Sequence, residues 1–459
     1  MAQPTLEDRF SAHTRYFRAG ATLSRASREE RLRSLLAVYD RMAPRILEAC
    51  HADLRRNETE ARASEVSLVR GEADLALRKL RAWMRPRRTL PPLVNWPALG
   101  AIEPRPLGVN LIISPWNYPF LLTFSPLVAC LAAGNVAMIK PSELSAASAE
   151  VIAEIVREAL PPECASVVLG GPEEAQALLR LPFDHIFFTG SPRVGRIVAR
   201  AASEHLTRVT LELGGKSPVV VMPTADLDLA ARRIAMGKFF NTGQSCVAPD
   251  YLLVHRSVRD GLVERLRAEI GRFFGPDPRR SPDYGRIINE AHTQRIADLI
   301  DPARVIHGGT FELADRYIAP TLLGDVSLDD RVMQEEIFGP LLPILPFDTR
   351  EEAMDIIAHN PRPLALYLFT AESADEREFT SRVPFGGGCI NSTLLHFADT
   401  SLPFGGIGGS GYGVSHGEHG FRTFSHAQGM LKAGSFLDLP LRYPPYTPRK
   451  KAWIRRILG

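Results

Sequence analysis

The sequence predicts an α/β protein with two doubly wound parallel-sheet domains. Short apolar stretches of strand length alternate with segments of helical periodicity from about residue 109 to residue 391, a pattern typical of parallel strands joined by helices. The chain has 459 residues, and at about 150 residues per domain this length predicts two or three domains. Hydrophobic residues make up 45% and charged residues 23% of the chain, which excludes a largely disordered or fibrous protein.

Charge and cysteine content exclude several functional classes. The 55 Lys and Arg residues nearly balance 52 Asp and Glu residues, and the net charge of +3 does not favour a nucleic-acid partner. The N-terminus has no apolar stretch that would mark a secretory signal. The cysteines show neither a CxxC pair nor a spacing suited to zinc. We therefore expect a cytoplasmic protein without disulfides or a metal site. The cysteines are Cys50, Cys130, Cys164, Cys246 and Cys389.

The N-terminal part of the chain is predicted to form long, charge-rich surface helices. Between residues 28 and 85, apolar residues such as Leu32, Leu35 and Leu36 follow a helical period. The prolines of the next segment, together with Trp96, break this pattern. That interruption favours a crossing segment or arm over a continued helix.

Alternating strands and helices are expected in the rest of the chain. In the first set, strands at 109–113, 136–139, 167–169 and 185–188 alternate with helices before Gly134 and at 145–160, 173–181 and 194–205. A sheet of this kind binds its ligand at the carboxyl ends of the strands. The second set has strands at 209–213, 218–221, 252–254, 364–369 and 389–391 and helices at 227–240, 258–273 and 291–300.

The segment that ends at Cys246 carries the most chemical information. Cys246 follows Asn241-Thr242-Gly243-Gln244-Ser245, a polar and turn-forming run after an expected helix. A free cysteine is usually a small buried hydrophobic residue, and we interpret the other four cysteines in that way. The polar run before Cys246 instead favours a sulfur at a domain edge.

Two further polar residues stand at the ends of expected strands. Glu212 ends an apolar strand immediately before Gly214-Gly215, and Asn117 lies in a turn between Pro115 and Pro119. Each residue also has a simpler interpretation: Glu212 as a solvated strand-end residue and Asn117 as a turn former. Taken singly, neither residue identifies a site.

Together, these segments resemble the aldehyde dehydrogenase superfamily. The cysteine segment and the Glu-Leu-Gly-Gly-Lys segment at 212–216 occur at the separation expected for that family, and the similarity extends over nearly the whole chain. Finer features resemble its class 3 branch, which includes fatty, aromatic and coniferyl aldehyde dehydrogenases. The motifs that carry the resemblance lie at residues 115–119 (PWNYP), 140–143 (KPSE), 188–191 (FTGS), 246–251 (CVAPDY), 283–287 (DYGRI), 335–340 (EEIFGP), 403–406 (PFGG) and 423–426 (TFSH).

The resemblance implies NAD(P)-dependent oxidation of an aliphatic or aromatic aldehyde to its carboxylic acid. Cys246 is the implied nucleophile, which passes through a thiohemiacetal and a thioester. The Asn117 amide and the Cys246 backbone N–H are the implied donors to the alkoxide. A thiol of pKa about 8.5 is only about 3% thiolate at pH 7, so Cys246 needs a base or a lowered pKa. Glu212 is the plausible base, and within the class 3 branch Glu336 competes with it.

The cofactor is expected to bind the first domain, which the resemblance makes Rossmann-like. The sequence has no GxGxxG, but Gly190-Ser191 and Gly195 supply a tight turn and a helix N-terminus for a pyrophosphate. The resemblance places Lys140 and Glu143 at the adenosine ribose. The carboxylate of Glu143 disfavours a 2′-phosphate, so NAD is favoured, although class 3 enzymes accept NADP as well. The remaining implied cofactor contacts are Gly214, Glu336 at the nicotinamide ribose and Phe338 against the nicotinamide.

The resemblance also implies a division of the chain and a homodimer. We assign the NAD(P)-binding domain to residues 1–85 and 102–211, the catalytic domain to 212–394, the bridging arm to 86–101 and 395–432, and a basic tail to 433–459. The arm is expected to join two subunits. The aldehyde pocket is expected to involve Tyr118, Asn241, Thr242 and loops such as 394–397, whose apolar and aromatic residues favour an uncharged aldehyde.

Two other functions stay open, and the tail has its own alternatives. A CoA-acylating enzyme would let CoA compete with water, and retention of Glu212 argues against it. A catalytically silent binding or structural homologue would be favoured by loss of Cys246 or Glu212, and both are present.

The basic tail, with Trp453 and Ile454 at the start of an apolar stripe that ends at residues 457–458, fits an anionic membrane surface. Packing on a partner subunit or simple solvation is the favoured interpretation.

Three remaining features are expected to be structural. His185 lies within an apolar strand and is expected to be a core histidine. His416, His419 and His426 do not have the spacing of a helical metal site. The glycine run at 405–413 is not followed by the Lys-Ser or Lys-Thr of a phosphate loop, so we expect a flexible loop near the mouth of the site.

Overall fold

The computed structural model describes residues 4–92, 95–435 and 438–458. The predicted arm and tail also include residues 93–94, 436–437 and 459, and these lie outside the described residues, as do the side chains of residues 457 and 458. Within the described chain no helix is long and apolar enough to cross a membrane.

Helices and strands alternate along most of the chain, as the sequence predicts. The helices are α1 (Leu6–Arg18), α2 (Arg25–Arg41), α3 (Ala43–Leu54), α4 (Glu58–Ala61), α5 (Leu68–Trp83), α6 (Leu121–Ala133), α7 (Ala146–Ala159), α8 (Pro172–Leu179), α9 (Pro192–Ser203), α10 (Leu227–Phe239), α11 (Arg259–Phe274), α12 (Glu290–Ala297), α13 (Arg331–Gln334), α14 (Arg350–Ala358), α15 (Ser373–Arg382), α16 (Leu395–Ala398), α17 (Gly417–Thr423) and α18 (Pro448–Leu458). The strands are β1 (Arg87–Thr89), β2 (Ala98–Pro106), β3 (Val109–Ile113), β4 (Val136–Lys140), β5 (Ala165–Val167), β6 (His185–Gly190), β7 (Arg208–Leu213), β8 (Pro218–Val221), β9 (Tyr251–His255), β10 (Val305–His307), β11 (Phe311–Glu312), β12 (Tyr317–Ile318), β13 (Thr321–Leu323), β14 (Leu341–Phe347), β15 (Ala365–Phe369), β16 (Gly387–Ile390), β17 (Gly411–Tyr412) and β18 (Ser425–Ala433).

The first sheet has six strands in the order β17-β7-β6-β3-β4-β5. All its pairs are parallel except β17 with β7. The strand order reverses at β3, which pairs with β4 on one side and with β6 on the other. Ligands bind doubly wound sheets at such a reversal point, so the segments that follow β3 and β6 are placed to form a site.

The second sheet has seven strands in the order β10-β13-β14-β9-β8-β15-β16. All its pairs are parallel except β10 with β13, and the predicted second α/β domain is confirmed. The sequence analysis missed β10, β13 and β14. Strand β14 contains Pro343 and Pro346, and proline inside a strand argues against a central position because it lacks an N–H donor.

Strand β7 belongs to the first sheet, not to the second set in which the sequence analysis placed it. It pairs with β6 over six positions, from Arg208 opposite His185 to Leu213 opposite Gly190. Alternation along the chain does not indicate which sheet a strand joins. The predicted domain boundary at 211/212 therefore cuts through β7.

A third, antiparallel sheet of β1, β2 and β18 forms the arm. β2 and β18 pair over nine positions, from Pro106 opposite Ser425 to Ala98 opposite Ala433. The predicted boundary at 101/102 is therefore wrong, since β2 continues to Pro106. The rest of the predicted second arm segment, 395–424, lies elsewhere: β17 joins the first sheet, and Phe421 packs on Trp83 with ring centroids 5.6 Å apart.

The N-terminal helices are packed on the first domain by their apolar stripe. Leu32 and Leu35 are buried in the same core as the side chains of α6 and α7, so these helices are only half on the surface. Helix α1, which the sequence analysis missed, begins at a capping box in which Thr5 and Asp8 exchange hydrogen bonds. Residues Arg62–Ser67, between α4 and α5, form a π-helical turn.

Candidate active site

A cleft of about 860 Å³ lies where the two domains meet. Its walls come from the segments that follow β3, β6 and β7 of the first sheet and, on the other side, from Cys246 and residues 334–338. The carboxyl ends of neighbouring parallel strands share one edge of a sheet, which explains why these distant segments converge. The predicted site residues that line the cleft are Asn117, Gly190, Ser191, Glu212, Gly214, Cys246, Glu336 and Phe338.

Cys246 reaches the cleft because the backbone before it is sharply turned. Asn241, Thr242 and Gly243 all have left-handed φ angles, of 49°, 56° and 73°. A Cβ on Gly243 would lie 2.3 Å from the carbonyl oxygen of Gly339, so the turn packs directly on the 335–340 motif. Burial, and then the carboxylates of Glu336 and Glu212, raise the pKa of the Cys246 thiol. Both effects disfavour the thiolate, so a nucleophilic Cys246 needs a base.

The Asn117 side chain is fixed beside this turn. Its Nδ2 donates to the carbonyl oxygen of Gln244 at 3.0 Å. The Gln244 side chain is itself held: Nε2 donates to the Arg286 carbonyl at 3.0 Å, and Oε1 accepts from the Ile288 N–H at 3.0 Å. An amide carries two N–H groups, so the second N–H of Asn117 is left for a ligand in the cleft.

Glu212 is a buried carboxyl with unused acceptor capacity. Oε1 accepts from the Ser415 hydroxyl at 3.2 Å, and Oε2 has no hydrogen-bond partner among the described residues. Burial raises the pKa of Glu212 well above its usual range. A carboxyl of this kind takes up a proton readily, which suits a general base opposite Cys246.

Glu336 is the second carboxyl of the cleft. Burial raises its pKa to about 8, and its Oε1 has no partner among the described residues. The backbone around Glu336 is anchored by Asp250, whose Oδ1 accepts from the Ile337 N–H at 3.0 Å. Lys216 Nζ donates to Asp250 Oδ2 and to the Glu335 carbonyl, both at 2.9 Å. The sequence analysis did not assign roles to Lys216 and Asp250, although both lie in motifs that it quoted.

The chain around β6 and α9 suits a dinucleotide. Ser191 is the N-cap of α9: its hydroxyl accepts from the Val194 N–H at 3.4 Å, and Pro192 carries no N–H, so the Arg193 N–H is the donor that the first turn can offer to an anion. Gly195 lies inside α9, where a Cβ would come within 2.7 Å of the Leu213 side chain, so its role is close packing of helix against strand. Across the cleft, Phe338 packs edge-on against Trp116 with ring centroids 5.3 Å apart.

Lys140 is the last residue of strand β4 and Glu143 follows it, at the same edge of the first sheet. Lys140 Nζ lies 3.5 Å from Glu143 Oε2 and donates to the Pro141 carbonyl at 2.8 Å. The Glu143 side chain is 43% exposed, so it is accessible to a ligand. Neither residue is among those that line the cleft.

Three residues expected in the aldehyde pocket lie beneath the site. Tyr118, Asn241 and Thr242 are buried, and none is among the residues that line the cleft. The Asn241 amide donates to the carbonyls of Asn117 and Gln244, at 2.9 and 3.1 Å. The polar side chain of Asn241 therefore stabilises the turn before Cys246. Instead, a small apolar cavity next to Cys246 and Glu212 is lined by Leu121, Leu122, Pro126, Phe187, Leu364, Phe404 and His416, among others.

Residues that sequence reasoning missed complete the cleft. Trp116, within a motif the sequence analysis quoted, lies against His292, and both line the cleft with the basic side chains Arg193, Arg196, Arg295 and Arg362. Arginines on separate loops carry no shared sequence signal, so only the fold brings them together. From the glycine run at 405–413, Gly409 and Ser410 line the cleft.

The histidine predictions can also be compared with the structure. His185 is fully buried and lies between Asn110 Oδ1 at 3.2 Å and Thr210 Oγ1 at 2.9 Å, which confirms a core histidine. Across the described residues, no group of three or more His, Cys, Asp or Glu side chains is placed to hold a metal ion.

Comparison with known proteins connects this site to a family. The profile of the aldehyde dehydrogenase family matches residues 4–429. The chain is 43% identical over 448 residues to 4,4'-diaponeurosporen-aldehyde dehydrogenase of Staphylococcus aureus, covering 97% of this chain and 98% of that protein. It is 44% identical over 436 residues to human aldehyde dehydrogenase family 3 member B1, covering 95% and 93%.

Solved structures agree with this relationship. A substrate-bound state of Staphylococcus aureus AldH superposes with a TM-score of 0.97 at 42% identity, covering all of both chains. PnpE in complex with nicotinamide adenine dinucleotide superposes with a TM-score of 0.85 at 27% identity, covering 95% of this chain and 91% of that one.

Proposed function

Because the chain belongs to the aldehyde dehydrogenase family, we propose that Cys246, Asn117 and Glu212 carry out its NAD(P)-dependent oxidation of an aldehyde to a carboxylic acid. The observation that carries this assignment is the convergence of the three side chains, from three separate segments, on one cleft. A nucleophile, a donor to the developing negative charge and a base are the groups that this chemistry needs.

The first half of the reaction uses Cys246 and Asn117. The thiol gives its proton to a carboxylate, and the sulfur attacks the aldehyde carbon to form a thiohemiacetal alkoxide. The free N–H of Asn117 and the backbone N–H of Cys246 donate to this oxygen, and one such donor is worth about 10²- to 10³-fold in rate. Collapse of the alkoxide would then release a hydride from the same carbon to a bound nicotinamide and leave a thioester to Cys246.

The second half of the reaction is hydrolysis. Glu212 takes a proton from a water molecule, whose oxygen attacks the thioester carbon. The carbon–sulfur bond then breaks, Cys246 leaves as a thiolate and the carboxylic acid is released. The vacant acceptor on Glu212 Oε2 supports this role. Glu336 lines the same cleft and stays the competing base.

The residues around α9 and β7 fit the cofactor. The Arg193 N–H in the first turn of α9 is assigned to the pyrophosphate, and Lys140 with Glu143 is assigned to the adenosine ribose, an assignment that rests on the family resemblance. The unpaired Oε1 of Glu336 offers an acceptor to a ribose hydroxyl. NAD is our preferred cofactor, with NADP also accepted.

We propose an uncharged aliphatic or aromatic aldehyde as the substrate. The cavity next to Cys246 supports this, because its lining is mostly aliphatic and aromatic. The substrate class is tested with a panel from short aliphatic to cinnamyl-type aldehydes, in which a carboxylate-bearing aldehyde with the highest kcat/KM contradicts it.

The same panel tests the activity itself. We expect NADH formation with an apolar aldehyde and carboxylic acid as the product, unchanged by CoA. Formation of acyl-CoA would favour the CoA-acylating alternative. No reduction of NAD or NADP with any aldehyde would favour the silent homologue.

We further propose a cytoplasmic homodimer joined through the arm. Leu99, Met430 and Leu431 are exposed on the β2 and β18 strands, and burial of such side chains drives association. Native mass measurement is expected to give two copies, and the Leu99→Lys, Leu431→Lys double variant to give one. A wild-type monomer would contradict the proposal.

The tail is proposed to remain in solution or to pack on the partner subunit. Its helix α18 is short, and Trp453 is 49% exposed. Liposome co-sedimentation at low and physiological salt compares the full chain with one that ends at Thr447. Equal sedimentation is expected, and stronger binding by the full chain would reveal membrane contact.

A further inference from the structure

Arg56 is a fully buried charge beneath the two loops of the site. It follows helix α3, and its side chain is 1% exposed. Nη2 donates a short hydrogen bond to the Asn117 carbonyl oxygen, and Nε donates to Asn241 Oδ1 at 3.2 Å. One guanidinium therefore holds the segment of the alkoxide donor and the turn that leads to Cys246.

Two carboxylates from the N-terminal helices complete this contact. Glu65 Oε1 accepts from Arg56 Nη1 at 2.6 Å, and its Oε2 accepts from the Leu121 N–H at 2.8 Å, at the start of α6. Glu60 Oε1 lies 3.6 Å from Arg56 Nε and accepts from the Asn241 N–H at 2.8 Å. Both carboxylates thus bind Arg56 and, with their other contacts, the backbone of the same two loops.

Two residues of this network, Glu65 and Asn241, lie in unusual backbone conformations. Glu65 lies within the π-helical turn Arg62–Ser67, and such turns are frequently found at functional sites. Asn241, which accepts from Arg56, has a left-handed φ of 49°. A non-glycine residue in that region is uncommon and is held there by its surroundings.

Stability alone does not account for this cluster. Buried ion pairs are often no more stabilising than apolar side chains of the same volume, because burial removes the hydration of both charges. Another buried arginine, Arg28, is held differently. It donates to the carbonyls of Thr22 and Ala132, both at 3.1 Å, and neither of these residues lines the cleft.

We propose that Arg56 is a positioning residue that fixes the Asn117 segment against the Asn241–Gln244 turn, so that both donors aim at the alkoxide. The proposal rests on the roles assigned above to Asn117 and Cys246. A misplacement of about 1 Å in a catalytic group can lower the rate about 10²-fold. Arg56 therefore influences kcat without touching the substrate.

The test compares Arg56→Lys with Arg28→Lys. Each change keeps the charge and removes the planar fork of donors. Both are expected to lower the melting temperature, whereas only Arg56→Lys is expected to lower kcat, by about 10- to 100-fold. The KM for NAD and the Kd for NADH are expected to stay within about twofold for both variants. Wild-type kcat in Arg56→Lys, or an equal loss of kcat in both variants, overturns the proposal.

Two further variants keep the result decisive. In an Asn117→Ala background, Arg56→Lys is expected to cause a smaller additional loss of kcat than in the wild type, because one of the two donors that it positions is gone; a full additional loss counts against the proposal. If Asn117→Ala alone retains wild-type kcat, the proposed function fails instead. Should Arg56→Lys not fold, Glu65→Gln decides, with a several-fold loss of kcat expected and no loss contradicting the proposal.

Discussion

The carboxylate of Glu336 occupies the space that a side chain at Gly214 would need. A Cβ on Gly214 would lie 1.9 Å from Glu336 Oε2 and 2.7 Å from Oε1. The backbone of Gly214 does not need a left-handed φ, since it is absent from the positive-φ residues of the described chain. The glycine is therefore required by close approach, and the turn after β7 and the 335–340 motif fit together at this point.

Gly214→Ala is therefore expected to push the Glu336 carboxylate away from its position. We expect about tenfold weaker binding of NADH, measured by fluorescence titration, if Glu336 holds the nicotinamide ribose. Glu336→Gln alone should weaken binding to a similar extent, and the double variant should be no worse than either single one. Additive losses would mean that Gly214 acts on the cofactor by another route.

Cys246→Ser is expected to reduce aldehyde oxidation below about 1% of the wild-type rate, because a serine hydroxyl is a far weaker nucleophile at neutral pH. NADH binding should be unchanged, since the proposed dinucleotide contacts lie mainly on other segments. The measurement is steady-state NADH formation beside a binding titration. Substantial turnover by this variant would refute the assignment of the nucleophile.

Glu212→Gln is expected to slow hydrolysis more than hydride transfer. A stopped-flow trace should then show one rapid equivalent of NADH per site, followed by a slow steady state. Glu336→Gln is the matched variant, and it should not show this burst. If the burst appears in Glu336→Gln and is absent in Glu212→Gln, Glu336 is the base for hydrolysis.

Much of this site could be predicted from the sequence, because its residues stand in motifs at strand ends. Glu212, Cys246 and Asn117 are examples, and the alternation that defines the two sheets is equally visible. The support beneath the site could not be predicted. Arg56 and Glu65 belong to the N-terminal helical region, whose pattern indicates only a charged surface, and the contact that buries them depends on how that region docks.

Tyr118 and Asn241 illustrate a different limit. Both belong to motifs that contain proposed catalytic residues or adjoin them, so proximity in sequence suggested contact with the substrate. The Asn117 carbonyl, however, accepts from the Asn241 amide beneath the cleft, and Tyr118 packs over Arg56 with the guanidinium 4.9 Å from the ring centre. Motif position does not indicate the direction in which a side chain points.

Glu143→Gln is expected to improve the use of NADP relative to NAD. The exposed carboxylate would repel a 2′-phosphate, and removing its charge also frees Lys140 from the ion pair at 3.5 Å. The measurement is the ratio of kcat/KM for the two cofactors, with a shift of about tenfold towards NADP expected. An unchanged ratio would place Glu143 away from the ribose.

Glu72→Gln is expected to change how stability depends on pH. Burial raises the pKa of Glu72 to about 7 from its usual 4.5, although its carboxylate accepts from the Gly417 N–H at 3.0 Å. The folded state thus binds this proton more tightly, and the resulting stabilisation is complete below about pH 4.5 and is lost as the pH rises through about 7.

Thermal unfolding at pH 5 and pH 8 measures this effect. From pH 5 to pH 8, the free energy of unfolding should fall by about 2–3 kcal/mol more in the wild type than in Glu72→Gln. The exposed Glu418, paired with Arg422 at 2.9 Å, provides the control, since Glu418→Gln should follow the wild type. Parallel pH dependence in Glu72→Gln and wild type would contradict burial of an ionisable Glu72.

The pairing of β17 with β7 has a consequence for synthesis of the protein on the ribosome. Gly411 lies opposite Glu212 in that pair, and Ser415, just beyond it, donates to the same carboxyl, while Arg56 supports the site from the start of the chain. The completed site thus joins positions more than 350 residues apart in sequence. A nascent chain can form the parallel strands of each sheet as they emerge, but the site described here is complete only after residues 411–415 have emerged, which separates formation of the parallel sheets from completion of the site.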